Sequence, residues 1–186
     1  MSITRTLDAT CEANAPSCNK YLAELAQNLT STENCGAEYQ STDHPTVVSA
    51  HDAMLAYAPI YSAGCLRDPD TSAYCYANAV TNQTNPSSVY FYRLPLNKTL
   101  PGTTIPGCGY CLQQTMAIYH AATADRKQMI ALTYVDAAKQ VNLICGPGFS
   151  NETLAAEVTG NGAPGGLAST WLMSALPLLA AALWFV

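Results

Sequence analysis

Charge is what this sequence has least of: acidic and basic residues together make up 11% of its 186 positions, against about 25% in typical globular domains. With so few ions, the surface must be solvated by Ser, Thr, Asn and Gln, or by attached sugar. Basic residues are the scarcer sign, eight Lys and Arg beside thirteen Asp and Glu, and no basic run is longer than Arg126-Lys127. A net charge of −5 without a basic cluster lacks the electrostatic footprint that phosphate backbones or anionic lipids select, so nucleic acid is excluded as an expected partner.

Catalytic patterns are missing as well. The three histidines, His44, His51 and His120, are scattered, and none has the HExxH or His/Cys spacing of a zinc site. Asp68-Pro-Asp70-Thr-Ser72 begins like a calcium loop, but Ala73 stands where glycine is needed and Ala79 where a bidentate glutamate is needed. There is no GxSxG, P-loop or dinucleotide fingerprint. No catalytic residue, metal ligand or cofactor is therefore expected, and an extracellular enzyme is the least favoured reading.

What the sequence does have is a hydrophobic fraction of 49%, enough for one ordinary core, and eight cysteines: Cys11, Cys18, Cys35, Cys65, Cys75, Cys108, Cys111 and Cys145. In an oxidising compartment an even number reads as a disulfide framework, and all eight are expected to be paired, with the connectivity open. Cys108-Gly-Tyr-Cys111 at a helix start imitates a redox-active dithiol, but without a βαβ pattern around it the favoured reading is that each cysteine is half of a structural bridge. Four glycosylation sequons begin at Asn28, Asn82, Asn97 and Asn151, against about two by chance at this composition.

The carboxyl end runs Gly160-Asn161-Gly162-Ala163, then a short spacer, then an apolar stretch from Trp171 to Val186. Small residues, spacer and a hydrophobic tail of about 10–20 residues form the layout of a glycosylphosphatidylinositol (GPI) signal, with Asn161 the preferred attachment residue. The rival is a permanent transmembrane helix over 167–186, disfavoured by Pro177 and by the lack of a following Lys or Arg. At the other end, Met1 to Cys11 lacks the apolar stretch of a signal peptide, so a leader is expected to be missing from this sequence.

Apolar periodicity predicts an all-α fold. One helix runs from a Ser17 cap to Leu29; a second starts at His44-Pro45 and is kinked or ended by Pro59. A short one spans about Thr71 to Val80; a third starts near Cys108 with Leu112, Thr115, Met116 and Tyr119 on one face; a fourth runs from about Arg126 to Ile144. Thr30 to Asp43 reads as loop, and Thr81 to Gly107, rich in Asn, Pro and Gly, as irregular or extended. Of the eleven tyrosines, Tyr21, Tyr57, Tyr61, Tyr119 and Tyr134 fall on helix stripes as core, with hydroxyls expected at the surface; Tyr90, Phe91 and Tyr92 in the irregular segment are the candidate surface for a glycan or small ligand.

The blocks Tyr57-Ala-Pro-Ile-Tyr61-Ser-Ala-Gly-Cys65, Tyr74-Cys75-Tyr-Ala-Asn-Ala-Val-Thr-Asn82, Cys108-Gly-Tyr-Cys111-Leu-Gln-Gln-Thr-Met and Asn142-Leu-Ile-Cys145-Gly-Pro-Gly-Phe149 resemble a family of fungal secreted proteins. The resemblance covers about Ser17 to Phe149 and implies one Cys-rich domain of unknown function with a GPI-type tail, and no catalytic residues. Residues and resemblance together give four expected parts: an N-terminal segment 1–16, a disulfide-stapled helical ectodomain 17–149, a short linker 150–166 and the tail 167–186. The expected role is structural or interactive, at the plasma membrane outer leaflet or cell wall, with the membrane reached through the anchor or tail. Cell-wall glycan is the candidate partner, and a glycan-binding or single-pass membrane protein the alternative.

Overall fold

In a computed structural model, residues 2–41 and 44–158 are described. The proposed attachment residue Asn161 and the tail 167–186 lie outside the described residues. The described residues form eight α-helices and one 3-10 helix, joined by three disulfides and without a strand pair beyond the single bridge Arg67 to Tyr74. The all-α expectation therefore holds, and no described helix is long and apolar enough to cross a membrane.

Segment 1–16, set apart by the sequence reading, belongs to the folded body. Helix α1 (Ile3–Cys11) is bonded to the rest through Cys11–Cys65, and Asp8 Oδ1 accepts from Arg67 at 3.0 Å and from the Tyr74 hydroxyl at 2.9 Å. Helix α2 (Ala15–Leu29) starts earlier than expected because Asn14, not Ser17, is its cap: the Asn14 side chain accepts from the Ser17 N–H, and Pro16 occupies the first turn. A short α3 (Gly36–Ser41) occupies part of the expected loop; a Cβ on Gly36 would lie 2.7 Å from the Ser31 carbonyl oxygen.

The expected second helix is divided into α4 (Pro45–Leu55) and α5 (Tyr57–Gly64). Pro59 explains where it breaks. A proline ring clashes with the carbonyl four residues earlier, here that of Leu55, where α4 ends. Helix α6 (Cys75–Thr81) is shorter than expected, since Thr71 and Ser72 belong to the turn in which Asp68 Oδ1 accepts from the Asp70 and Thr71 N–H groups.

The segment expected to be irregular contains the 3-10 helix Pro86–Leu96. Its apolar residues repeat at three rather than 3.6 positions, so Phe91 and Leu94 share one inward row. They pack on the antiparallel pair α7 (Tyr110–Ala122) and α8 (Ile130–Cys145), whose Met116, Tyr119, Ile130, Tyr134 and Val141 are buried. The four residues assigned to one face of α7 are all buried, as are Ile130, Tyr134, Ala137 and Val141 of α8. Ile144 is 52% exposed, because its neighbour Cys145 turns inward to Cys108.

Among the tyrosines expected in the core, Tyr119 and Tyr134 are fully buried, whereas Tyr21 is 64% exposed. Neither the Tyr119 nor the Tyr134 hydroxyl reaches the surface, and neither has a protein partner. Burial pushes the Tyr134 phenol from 10.0 up to about 12. In the unfolded chain the phenol ionises near pH 10, while in the folded protein it keeps its proton to about pH 12. Stability is therefore fully present below pH 10 and lost between about 10 and 12, by up to about 3 kcal/mol for this residue. Helical circular dichroism followed against alkaline pH should show unfolding in that window, and Tyr134→Phe should move it upward; an unmoved transition would assign it to another group.

Candidate functional site

Six of the eight cysteines are paired, as Cys11–Cys65, Cys75–Cys111 and Cys108–Cys145. Cys18 and Cys35, expected to be bridged, are free thiols. The reason is the length of α2. Cys18 lies in its first turn, while the Cys35 N–H bonds the Leu29 carbonyl at its other end. Eleven residues at about 1.5 Å each separate the two by about 16 Å, far beyond the ~7 Å limit for a bridge. Cys18 instead lies against Tyr57, whose phenol is pushed up to about 12 by burial and then by the thiol. The two cysteines of Cys108-Gly-Tyr-Cys111 belong to different bridges, so the segment holds no dithiol pair.

The three aromatics offered as one ligand surface point three ways. Successive residues of a 3-10 helix are about 120° apart. Phe91 is 2% exposed and belongs to the core. Tyr90 shares its row with Arg93, whose guanidinium carbon lies 5.8 Å from the ring centroid, and both line a hollow of about 270 Å³ with Asn97, Lys98 and Thr99. Tyr92 faces a different hollow and meets Tyr76 edge-on, with centroids 4.9 Å apart.

This second hollow, of about 250 Å³, lies where α6, the 3-10 helix and the start of α7 converge. The disulfide Cys75–Cys111 holds α6 against α7 in its lining, and Tyr92 and Tyr110 supply aromatic surface. Asn78 and Asn82, one helical turn apart, stand exposed beside Asp68 and Ser88. Asp68 Oδ2 lies 3.8 Å from Cys111 Sγ. Thr115, 1% exposed, is closed off from solvent against the Tyr92 phenol. Burial raises the Tyr92 phenol above its ordinary value and outweighs its bond with Thr115, which acts to lower it. Fixed donors, acceptors and apolar walls with no basic group suit a small neutral polyhydroxylated molecule, and the volume lies just below the ~300–1,000 Å³ of drug-sized sites.

A family described as a domain of unknown function (DUF7729) matches residues 1–154. The chain belongs to it. No curated protein and no solved structure matches the chain. In this DUF7729 domain the match begins with α1, in agreement with the bonds that tie α1 to Cys65, Arg67 and Tyr74. It ends at residue 154, within the segment that follows α8. There Asn142 Nδ2 donates to the Ser150 carbonyl, Arg126 Nη2 donates to the Ala155 carbonyl and the Val158 N–H to that of Ala124. Residues 150–158, expected as linker, are thus laid back along the body rather than leading away from it.

The four sequon asparagines are all exposed. Asn28 is in the last turn of α2 and Asn97 has a left-handed backbone, φ 56°. Asn82 and Asn151 each accept on Oδ1 from the sequon threonine, whose hydroxyl donates at 2.7 and 2.8 Å. Of the histidines, His51 Nδ1 lies 3.4 Å from Asp52 and its ring 4.7 Å from Tyr39, while His120 Nε2 is buried without a partner beside Tyr134. No group of three or more metal-ligating side chains occurs among the described residues. Cys75, Asn78, Asp68 and Thr115 were not singled out together by sequence reasoning; the one available signal was the pair Asn78 and Asn82 at i, i+4.

Proposed function

We propose that this protein is a secreted, cell-surface interaction module held to the outer leaflet of the plasma membrane by a GPI anchor at Asn161. The observation that carries the reading is the covalent one: three bridges lock α1 to the end of α5, α6 to α7, and the start of α7 to the end of α8. Such frameworks persist in oxidising compartments. The sequons, the scarcity of charge and the Gly160 to Val186 signal layout agree with it. The resemblance to fungal secreted proteins supports a cell-wall setting.

The fold gives this reading an orientation. Val158 is bonded to Ala124, and Asn161 follows it by three positions (161 − 158), a reach of about 10 Å. An anchor at Asn161 therefore keeps the Ala124 end of α7 near the lipid. The hollow beside Tyr110 and Thr115 lies toward the opposite end of α7, a 13-residue helix about 20 Å long. In this reading it lies on the side away from the membrane.

The test uses the full chain, expressed behind a working secretion signal and treated with phosphatidylinositol-specific phospholipase C. Release into the supernatant is expected. Retention in the membrane fraction, after an acylated lipase-resistant anchor has been ruled out by chemical cleavage, would replace the anchor with a transmembrane tail. A second reading, a small-ligand or glycan binder, is favoured by the exposed Tyr110 ring beside Asn78 in the lining of the hollow. It is tested by titrating neutral monosaccharides and following tyrosine fluorescence in the wild type and in Tyr92→Ala.

A further inference from the structure

We infer that the hollow between α6 and α7 is the seat of the protein's own carbohydrate: the first N-acetylglucosamine of a glycan on Asn82 packs into it. The inference rests on the secretory reading above, because only that pathway attaches such a glycan. In the attaching step the Asn82 Nδ2–C1 bond forms, the C1–O bond to the pyrophosphate of a lipid-linked oligosaccharide donor breaks, and Nδ2 loses one proton. Pyrophosphate leaves on its lipid.

Three observations point to this occupant. Asn82 lines the hollow and is exposed, so an attached sugar starts at its mouth. Its Oδ1 is fully engaged, accepting from the Thr84 N–H at 3.0 Å, the Thr84 hydroxyl at 2.7 Å and the Asn85 N–H at 2.9 Å. The amide group is thereby fixed in orientation, with Nδ2 donating to none of the described residues. Third, Tyr110 stands 42% exposed in the lining of the hollow and offers an aromatic face to the apolar side of a pyranose. The apolar face of the pyranose lies against Tyr110, and its hydroxyls and acetamide meet the exposed Asn78 and the half-buried Ser88.

Asn151 has the same threonine geometry but lines neither hollow, which makes it the control. An ordinary solvating glycan acts alike at both positions; a seated one does not.

The experiment starts from secreted full-length protein, with site occupancy read by mass spectrometry and thermal midpoints read by circular dichroism. Asn82→Gln should lower the midpoint by about 3–5 °C, and Asn151→Gln should leave it within about 1 °C. Trimming folded protein with an endoglycosidase that leaves one N-acetylglucosamine should preserve the wild-type midpoint, whereas complete enzymatic removal should reproduce the Asn82→Gln loss without any risk from misfolding of a variant. Tyr110→Ala should lower the midpoint in glycosylated protein and have no further effect in Asn82→Gln. Additive effects, equal losses at Asn82 and Asn151, or an empty Asn82 beside an occupied Asn151 would each overturn the inference while leaving the secretory reading standing. A protein retained in the cytoplasm with no sequon occupied would overturn both.

Discussion

Reduction under native conditions is expected to unfold this domain. The three bridges close sequence separations of 54, 36 and 37 residues, and the chain-entropy account gives about 4 kcal/mol for each loop of this size. Loops 75–111 and 108–145 overlap, so the three do not simply add. Even so, their combined contribution is comparable with the roughly 5–15 kcal/mol that separates folded from unfolded domains. Mild reductant should abolish most helical circular dichroism. The double variant Cys108→Ser, Cys145→Ser, which frees the start of α7 from the end of α8, should lose about 3–4 kcal/mol in urea denaturation. Unchanged helicity in reductant would mean that the apolar core alone carries the fold. The same protein, denatured without reductant, should titrate two thiols, those of Cys18 and Cys35. A count of zero would show a fourth bridge and a rearranged α2.

The second large effect is Phe91→Ala, expected to cost about 3–5 kcal/mol. Phe91 is 2% exposed and sits with Leu94 against α7 and α8, and Thr133 Oγ1 donates to the Leu94 carbonyl at 2.9 Å to hold the same contact. Removing the ring leaves a cavity that the bridges prevent the helices from closing. Tyr90→Ala, on the row shared with Arg93, should change stability by less than about 1 kcal/mol. Chemical denaturation of the pair separates core from surface within one short segment. Equal small effects would return Phe91 to the surface and restore the three aromatics as one platform.

Phe91 also shows how far the sequence could be read. Its neighbourhood holds Pro86, Pro95 and several Asn, residues that argue against both α-helix and strand. Neither the 3.6 nor the 2.0 period fits it. The period of three was present, with Phe91 and Leu94 inward and Tyr90 and Arg93 outward, but runs of 3-10 helix this long are uncommon enough that the pattern is not sought. Helices α7 and α8 were legible because their buried residues recur at the α period over three or more turns. Helix α1 was missed because Ser2 to Cys11 offers only Ile3 and Leu7 as large apolar residues, and it is tied to the body by one disulfide and by the contacts of Asp8 with Arg67 and Tyr74.

The sequence by itself determined the class of this molecule: one helical, cysteine-bridged domain with no metal or nucleotide motif, because composition, residue counts and helical periodicity are local properties of the chain. The tertiary structure alone decided which cysteines meet and which polar groups share a hollow. The span of α2 keeps Cys18 from Cys35, and the bridge Cys75–Cys111 brings Asn82, just past the end of α6, to the same hollow as Tyr110 of α7. These are distances between elements remote in sequence, set by helix length and packing, and no local pattern encodes them.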